Sequence, residues 1–200
     1  MLAIVALPLL VSASELSPEF ELVPLHNGIN KVAFGKGAIE GMVMLAHCEN
    51  FNAHSFEMAT FYLRTAAVES DPKAWQLLPF EIKTEDGVWE NSLQVWGGAD
   101  CQLHTFRLLR GRKDKAVYVL VADRPLGESF ADPGLVKFTW LKLTWNADGL
   151  PGEPTAYFKV WKTETTTKQY CDVDKAIEVE LHLKGAIMPT EGSLPDEPAK

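Results

Sequence analysis

The sequence lacks the features that mark several large classes of protein. No apolar run among its 200 residues reaches the roughly 18 residues that a transmembrane helix needs. Basic residues are outnumbered, since 19 Lys and Arg stand against 27 Asp and Glu, for a formal net charge of -8. Such a chain lacks the basic surface that attracts nucleic acid and anionic membranes. We therefore expect no membrane span and no nucleic-acid partner.

Cysteine is also scarce. Three cysteines are too few for a small disulfide scaffold, and the odd number requires at least one free thiol or an intermolecular bridge. What the chain does contain is 46% hydrophobic and 23% charged residues, with a mean hydropathy of -0.05. This balance is typical of one globular domain with a sizeable core.

The chain begins with an uncharged apolar stretch that is too short to cross a bilayer. Val11, Ser12 and Ala13 meet the small-residue rule for a signal-peptidase site, so residues 1–13 are predicted to be a signal peptide. The basic residue expected near the start is missing, so either the true start lies upstream or the stretch is not a signal. The alternative is a buried N-terminal strand, which Pro8 disfavours. Residues 14–188 are predicted to form a single domain.

The middle of the chain has the pattern of a β protein. Short apolar or alternating runs recur between turn residues such as Asp86-Gly87 and Gly97-Gly98. The spacing leaves no room for the crossover helices of a parallel sheet. We therefore predict an antiparallel β-sandwich or jelly roll. The predicted strands are 20–23, 31–34, 41–48, 55–64, 75–83, 88–96, 102–109, 116–122, 136–145 and 155–163.

One C-terminal helix is predicted. Asp172 can cap a helix over 173–184, and Gly185 stands where a glycine commonly follows a helix. The remaining residues, 189–200, are proline-rich and acidic and are predicted to be a disordered tail.

Catalytic and metal-binding motifs are weak throughout the sequence. Ser70 and Lys73 match the Ser-x-x-Lys pattern of serine β-lactamases, but they fall in a predicted loop and the companion elements are absent. A metal site from His54, His104 and Asp123 would require tertiary proximity that no ligand spacing supports. We therefore predict no catalytic residue, no metal site and no cofactor.

An aromatic strand face provides the candidate binding site. Within the predicted strand 155–163, Tyr157, Lys159 and Trp161 share one face. If the other face belongs to the core, Tyr157 and Trp161 stand about 13 Å apart on the outside. Such a platform can stack sugar rings. The alternative is that the terminal helix or a partner subunit covers this face, because large aromatic side chains are usually buried or mark interfaces.

The three cysteines allow three pairings. Cys101 follows a turn and Cys171 precedes the predicted helix, whereas Cys48 ends an apolar strand where a thiol packs well. In an oxidising compartment we expect Cys101 to pair with Cys171 and Cys48 to stay buried and free. The alternative is that all three are free, as in the cytosol.

Three phrases of the sequence look like those of the carbapenem intrinsic resistance proteins. The phrases are ENFNAHSF at 49–56, GGADCQLHTFRLL at 97–109 and YCDV at 170–173. The resemblance extends from about residue 27 to about residue 183. It implies a periplasmic β-sandwich that is similar in shape to carbohydrate-binding modules. It also places Cys101 and Cys171 inside the matching phrases and leaves Cys48 outside them.

The resemblance further implies protection from carbapenem without hydrolysis, by binding the drug or shielding its targets. The expected partners are a β-lactam, a glycan or a periplasmic protein, and a homodimer is an alternative. A carbohydrate- or cell-wall-binding module is the second functional hypothesis. A drug carboxylate would need local cations such as Arg107, Arg110 or Arg112, but this cluster is predicted to lie at a hairpin turn, where charge is ordinarily solvated.

Overall fold

The computed structural model describes residues 19–52, 54–66, 74–82 and 89–184. Within these ranges the chain forms ten strands and one helix. The elements are β1 (Phe20–Leu22), β2 (Gly28–Lys31), β3 (Ala38–Cys48), β4 (Phe56–Thr65), β5 (Gln76–Leu77), β6 (Leu93–Gly97), β7 (Gln102–Gly111), β8 (Val117–Asp123), β9 (Gly134–Trp145), β10 (Ala156–Tyr170) and α1 (Val173–Leu181).

The strands form two antiparallel sheets that meet at β6. Sheet A contains β1 and β7 to β10, and sheet B contains β2 to β5. The first part of β6 pairs with β4, where Leu93 lies opposite Ala59, and its end pairs with β7, where Trp96 lies opposite His104. One strand therefore passes from one sheet to the other, and the predicted β-sandwich is confirmed.

The main core lies between the sheets. It contains side chains from β3 and β4 of sheet B, including Val43 and Phe61, and from sheet A, including Phe106 and Phe158. The rings of Phe61 and Phe158 meet edge to face with centroids 5.6 Å apart, a favoured arrangement for aromatic pairs.

A second core lies on the other face of sheet A, beneath helix α1. Successive residues of β8 alternate between the two cores, so that Val119 faces sheet B while Leu120 faces the helix. Ala176 and Ile177 of the helix are fully buried there. This double burial explains why β8 is a continuous apolar run in the sequence.

Several predicted strand boundaries are wrong. The strand predicted at 31–34 is displaced towards the N-terminus, because β2 begins at Gly28 and ends at Lys31. Of the described residues of the predicted strand 75–83, Gln76 and Leu77 form β5 and Phe80 makes isolated bridges to Glu90 and Phe158. Pro79 between them has no N–H to continue the ladder. Strand β10 continues to Tyr170 rather than ending at residue 163, since a run of β-branched threonines favours extended backbone.

The helix prediction is confirmed at its start and wrong at its end. Asp172 caps the helix, and its Oδ1 accepts hydrogen bonds from the backbone N–H of Asp174 at 2.7 Å and of Lys175 at 3.2 Å. The helix ends at Leu181 instead of Lys184, because His182 adopts a left-handed conformation with φ of 54°.

The cysteine pairing is confirmed, since Cys101 and Cys171 form a disulfide with their Cα atoms 5.6 Å apart. Cys48 is free as predicted, but it is half-buried rather than buried. The predicted signal peptide at 1–13, the Ser70 and Lys73 pair and the tail at 189–200 lie outside the described residues. Among the residues described, no helix is both long enough and apolar enough to cross a membrane.

Candidate functional site on the outer face of sheet A

The predicted platform residues lie on β10, on the sheet face that turns away from sheet B. Tyr157 is opposite Thr144 of β9 and Lys159 is opposite Lys142, whereas a bulge between Val160 and Lys162 displaces Trp161. Neighbouring Ala156 and Phe158 point into the main core.

Tyr157 and Trp161 have different surroundings. Tyr157 is only 4% exposed, because the ring of Trp89 packs against it at a centroid distance of 4.9 Å. Its hydroxyl donates to Glu153 Oε2 at 3.1 Å. Burial is the larger cause that raises the pKa of Tyr157, and the hydrogen bond to this carboxylate is the second cause. Trp161 is 52% exposed, and Lys159 is exposed as well. The structure therefore offers one accessible ring on this strand, with a lysine beside it.

Trp161 belongs to a group of rings that we call the aromatic patch. Its centroid lies 5.4 Å from that of Tyr118 and 6.5 Å from that of Trp140. Phe20 of β1 completes the patch at 5.1 Å from Tyr118 and 4.9 Å from Trp140. A cavity of about 210 Å³ opens beside Trp161, between the patch and the β7–β8 hairpin.

Charged groups fix the edge of the aromatic patch. Tyr118 donates its hydroxyl to Asp114 Oδ2 at 2.7 Å, and Lys142 Nζ donates to the same oxygen at 3.0 Å. Hydrogen bonds from the hydroxyl of Tyr118, which has the larger effect, and from the ammonium of Lys142 lower the pKa of Asp114 to about 2. Lys142 also lies 5.1 Å from the centroid of the Tyr118 ring, within cation–π distance. The arrangement holds Tyr118 in place, while Trp161 remains about half-exposed beside it.

The arginine cluster is divided by the fold. Arg107 is fully buried and its Nη2 donates to Asp174 Oδ1 at 2.7 Å, so it fastens β7 to helix α1. The expectation of a solvated hairpin charge is therefore wrong for Arg107. Arg110 Nη2 donates to the carbonyl of Ala33 at 2.7 Å, whereas Arg112 lines the cavity beside Trp161.

The candidate metal ligands are separated into different pairs. His104 Nδ1 hydrogen-bonds to Asp123 Oδ1 on the neighbouring strand. His54 instead stacks on Phe130 with centroids 4.6 Å apart, and its Nδ1 lies 3.2 Å from the carbonyl oxygen of Gly97. In the described part of the chain, no group of three His, Cys, Asp or Glu side chains is placed to hold a metal ion.

This double-layered sheet with one capping helix has a counterpart among solved structures. The chain is similar to CarG. The crystal structure of CarG matches with a TM-score of 0.65 over 80% of this chain and 94% of that chain, at 22% identity. No family model and no curated protein matches the sequence. At this identity the likeness shows the fold, and it confirms at that level the resemblance drawn from the three sequence phrases.

The three phrases meet at one end of the sandwich. The bond between His54 and the Gly97 carbonyl joins the first phrase to the second. The Cys101–Cys171 disulfide joins the second to the third, and the backbone N–H of Gln102 donates to Asp172 Oδ2 at 3.2 Å. Segments that are far apart in sequence are thus parts of one structure.

The first phrase presents an aromatic side chain to solvent. Phe51 is 95% exposed and has a positive φ of 56°, which is uncommon for a residue other than glycine. Its backbone N–H donates to Glu49 Oε1 at 2.6 Å, and that oxygen also accepts from Ser55 Oγ at 2.8 Å. The backbone of Phe51 is therefore held in a strained conformation, and such strain is concentrated at functional sites.

The sequence did not predict a cavity that lies on sheet B. It measures about 560 Å³ and lies where β2 and β3 meet, with Lys31 and Trp75 among its lining residues. The signal available in the sequence was the close spacing of Gly35, Gly37 and Gly41, which marks a tightly folded loop.

Proposed function

We propose that the chain is an exported, non-enzymatic protein of the periplasm that protects the cell from carbapenem without hydrolysing it. The observation that carries the proposal is the fold shared with CarG over 94% of that protein, taken together with the resemblance of three sequence phrases to the carbapenem intrinsic resistance proteins. The joining of the three resembling phrases at one end of the sandwich supports it, and the disulfide is compatible with an oxidising compartment.

Protection can follow from binding the drug or from shielding its targets. Shielding requires a surface that contacts another molecule, and the exposed, hydrogen-bonded Phe51 is suited to such a contact because aromatic anchors dominate interface energetics. Phe51→Ala is therefore expected to reduce protection while leaving the free energy of unfolding within about 0.5 kcal/mol.

The test is carbapenem susceptibility in a sensitive host that expresses and exports the chain. We expect a higher inhibitory concentration with the wild-type chain than with an exported, unrelated β-sandwich. In parallel, purified protein is incubated with an excess of carbapenem, and the drug concentration is expected to stay constant. Unchanged susceptibility with export verified would refute protection, and consumption of drug beyond the concentration of protein would show an enzyme.

A glycan-binding module is the second candidate, favoured by the exposed Trp161 beside a cavity of about 210 Å³. Sugar rings stack on such an indole, and Lys159 and Arg112 lie nearby to donate hydrogen bonds. Glycan-array binding by the wild-type chain and by the Tyr157→Ala, Trp161→Ala double variant decides it. Absence of binding by the wild-type chain, or equal binding by both proteins, contradicts this function.

A further inference from the structure

A preformed cleft lies on sheet B, and no lining residue of it belongs to the aromatic patch. It is bounded by β2, by the loop at 32–37, by the start of β3 and by Trp75. Its volume of about 560 Å³ lies within the range of about 300–1,000 Å³ that is usual for small-molecule sites. None of its residues belongs to the three phrases or to the platform on β10.

Glycines set the shape of the cleft. A Cβ on Gly41 would lie 2.2 Å from the carbonyl oxygen of Val32 and 2.3 Å from Cδ2 of Phe34, so only glycine allows the loop to pack this closely on β3. The backbone N–H of Val32 donates to the Gly41 carbonyl at 2.9 Å, which fixes the approach. Gly37 turns the chain with a φ of +100°. Because the walls are fixed by backbone contacts, little reorganisation is needed for binding.

The walls are apolar and accessible. Ile29 is 57% exposed, Ile39 is 58% exposed and Trp75 is 44% exposed. A bulge in the β3–β4 ladder between Ala38 and Glu40 places Ile39 outside the regular pairing. The guanidinium of Arg64 lies 5.4 Å from the centroid of the Trp75 ring and supports the indole. Three large apolar side chains thus surround one concave space instead of being scattered over the surface.

The charge of the cleft is positive, although the whole chain is acidic. Glu40 lines the cleft, but its carboxylate is neutralised by Arg64 Nη2 at 2.8 Å. Lys31 also lines the cleft and forms no ion pair with any residue that the structure describes. An ammonium beside a flat indole and two isoleucines is complementary to a molecule with one negative charge and an apolar body.

We infer that this cleft binds a small organic anion with a flat apolar body, whose charged group pairs with Lys31 and whose body packs on Trp75. A carbapenem shares the carboxylate of this class, so Lys31 offers one contact for the drug in the proposed function. The inference does not depend on that function, because binding is measured on the purified chain.

The test uses two fluorescent probes that differ in charge. 1-Anilinonaphthalene-8-sulfonate is anionic, and N-phenyl-1-naphthylamine is its neutral relative. We expect the anionic probe to bind at one site per chain and more tightly than the neutral probe. Lys31→Met is expected to raise the dissociation constant of the anionic probe about tenfold and to leave that of the neutral probe unchanged. Trp75→Ala is expected to raise both dissociation constants about tenfold.

Matched variants on the other sheet provide the controls. Lys159→Met removes an exposed lysine and Trp161→Ala removes a similarly exposed indole, and both are expected to change the dissociation constant less than twofold. Circular dichroism verifies that all four variants are folded. The inference would be overturned if the sheet A variants lost as much affinity for the anionic probe as Lys31→Met and Trp75→Ala. It would also be overturned if those two variants lost no affinity.

Competition then identifies the source of the anion. Displacement of the sulfonate probe by meropenem or by 2-naphthoate supports the site and tells a β-lactam from an aromatic carboxylate. If only neutral compounds displace the probe, or if sedimentation shows that a second copy of the chain occupies the cleft, the inference is wrong. A chain that binds the probe without raising carbapenem resistance would refute the proposed function and leave this site standing.

Discussion

The outer face of sheet A is largely covered, whereas that of sheet B is open. On sheet A, helix α1 buries Leu109 and Leu120, and the aromatic patch covers much of the rest. On sheet B, Ile29, Met44 and Met58 remain exposed. Both faces are apolar, but only the face of sheet A has an element of the described chain packed on it. Most apolar side chains on the outer face of sheet A therefore serve folding, with Trp161 as an exposed exception, whereas those on the outer face of sheet B are accessible.

Removal of the disulfide should have the largest effect on stability. The Cys101–Cys171 bond closes a loop of 70 residues next to the start of α1, so the Cys101→Ser, Cys171→Ser variant is expected to lose about 4 kcal/mol. Urea unfolding followed by tryptophan fluorescence measures the loss. Cys48→Ser, which alters a half-buried free thiol, is the control and should change stability by less than about 1 kcal/mol. Similar losses in both variants would contradict the role assigned to the bridge.

A matched pair of truncations tests the comparison of the two faces directly. Ile177→Ala leaves a cavity between the helix and sheet A and is expected to cost about 3 kcal/mol. Met44→Ala removes an exposed side chain from the outer face of sheet B and should cost less than about 1 kcal/mol. The free energies of unfolding are compared under identical conditions. If the two costs are equal, the faces do not differ as described.

A smaller effect on stability is expected when acid protonates Asp114 at the edge of the aromatic patch. Because the pKa of Asp114 is lowered to about 2 in the folded chain, its carboxylate stabilises the fold above its ordinary value of 3.8. That contribution is lost as the pH falls from 3.8 towards 2. Asp114→Asn should therefore be less stable than the wild-type chain at neutral pH, with the difference shrinking in acid. A constant difference across this range would contradict the prediction.

The smallest expected effect on stability comes from the titration of His47. Hydrogen bonds from His47 to Glu57, and secondarily to Glu49, raise the pKa of His47 above 6.5. The stabilisation is fully present below pH 6.5 and is lost as the pH rises through the raised value. NMR titration of the imidazole in the wild-type chain and in Glu57→Gln measures it. The pKa should be lower in the variant, and an unchanged value would show that Glu57 is not the cause.

Much of the fold was predictable because its signals are local. The alternation in β9 and the unbroken apolar run of β8 follow from burial on one or both faces, and Asp172 is a strong helix cap. The short strands were misplaced because β2 and β5 depend on which neighbours lie beside them. The end of α1 was misplaced because the left-handed turn falls at His182, where sequence favoured Gly185.

The candidate sites were less predictable, because they depend on distant packing. The sequence correctly predicted that Tyr157 and Trp161 lie on one strand. No local signal showed that Trp89 would cover Tyr157. Arg107 lies close to a hairpin in sequence, yet its partner Asp174 is 67 residues away. Similarly, Trp75 reaches the cleft from a segment that pairs with β4, far from the β2–β3 loop that forms the opposite wall.

We infer that small organic anions bind to the open face of sheet B rather than to the largely covered face of sheet A. Backbone amide NMR spectra of the intact chain, recorded with and without meropenem, test this most directly. We expect shifts in residues 29–42 and at Trp75, with the signals of β9 and β10 unchanged. Shifts centred on Trp161 and Lys159, with none in the cleft, would contradict it.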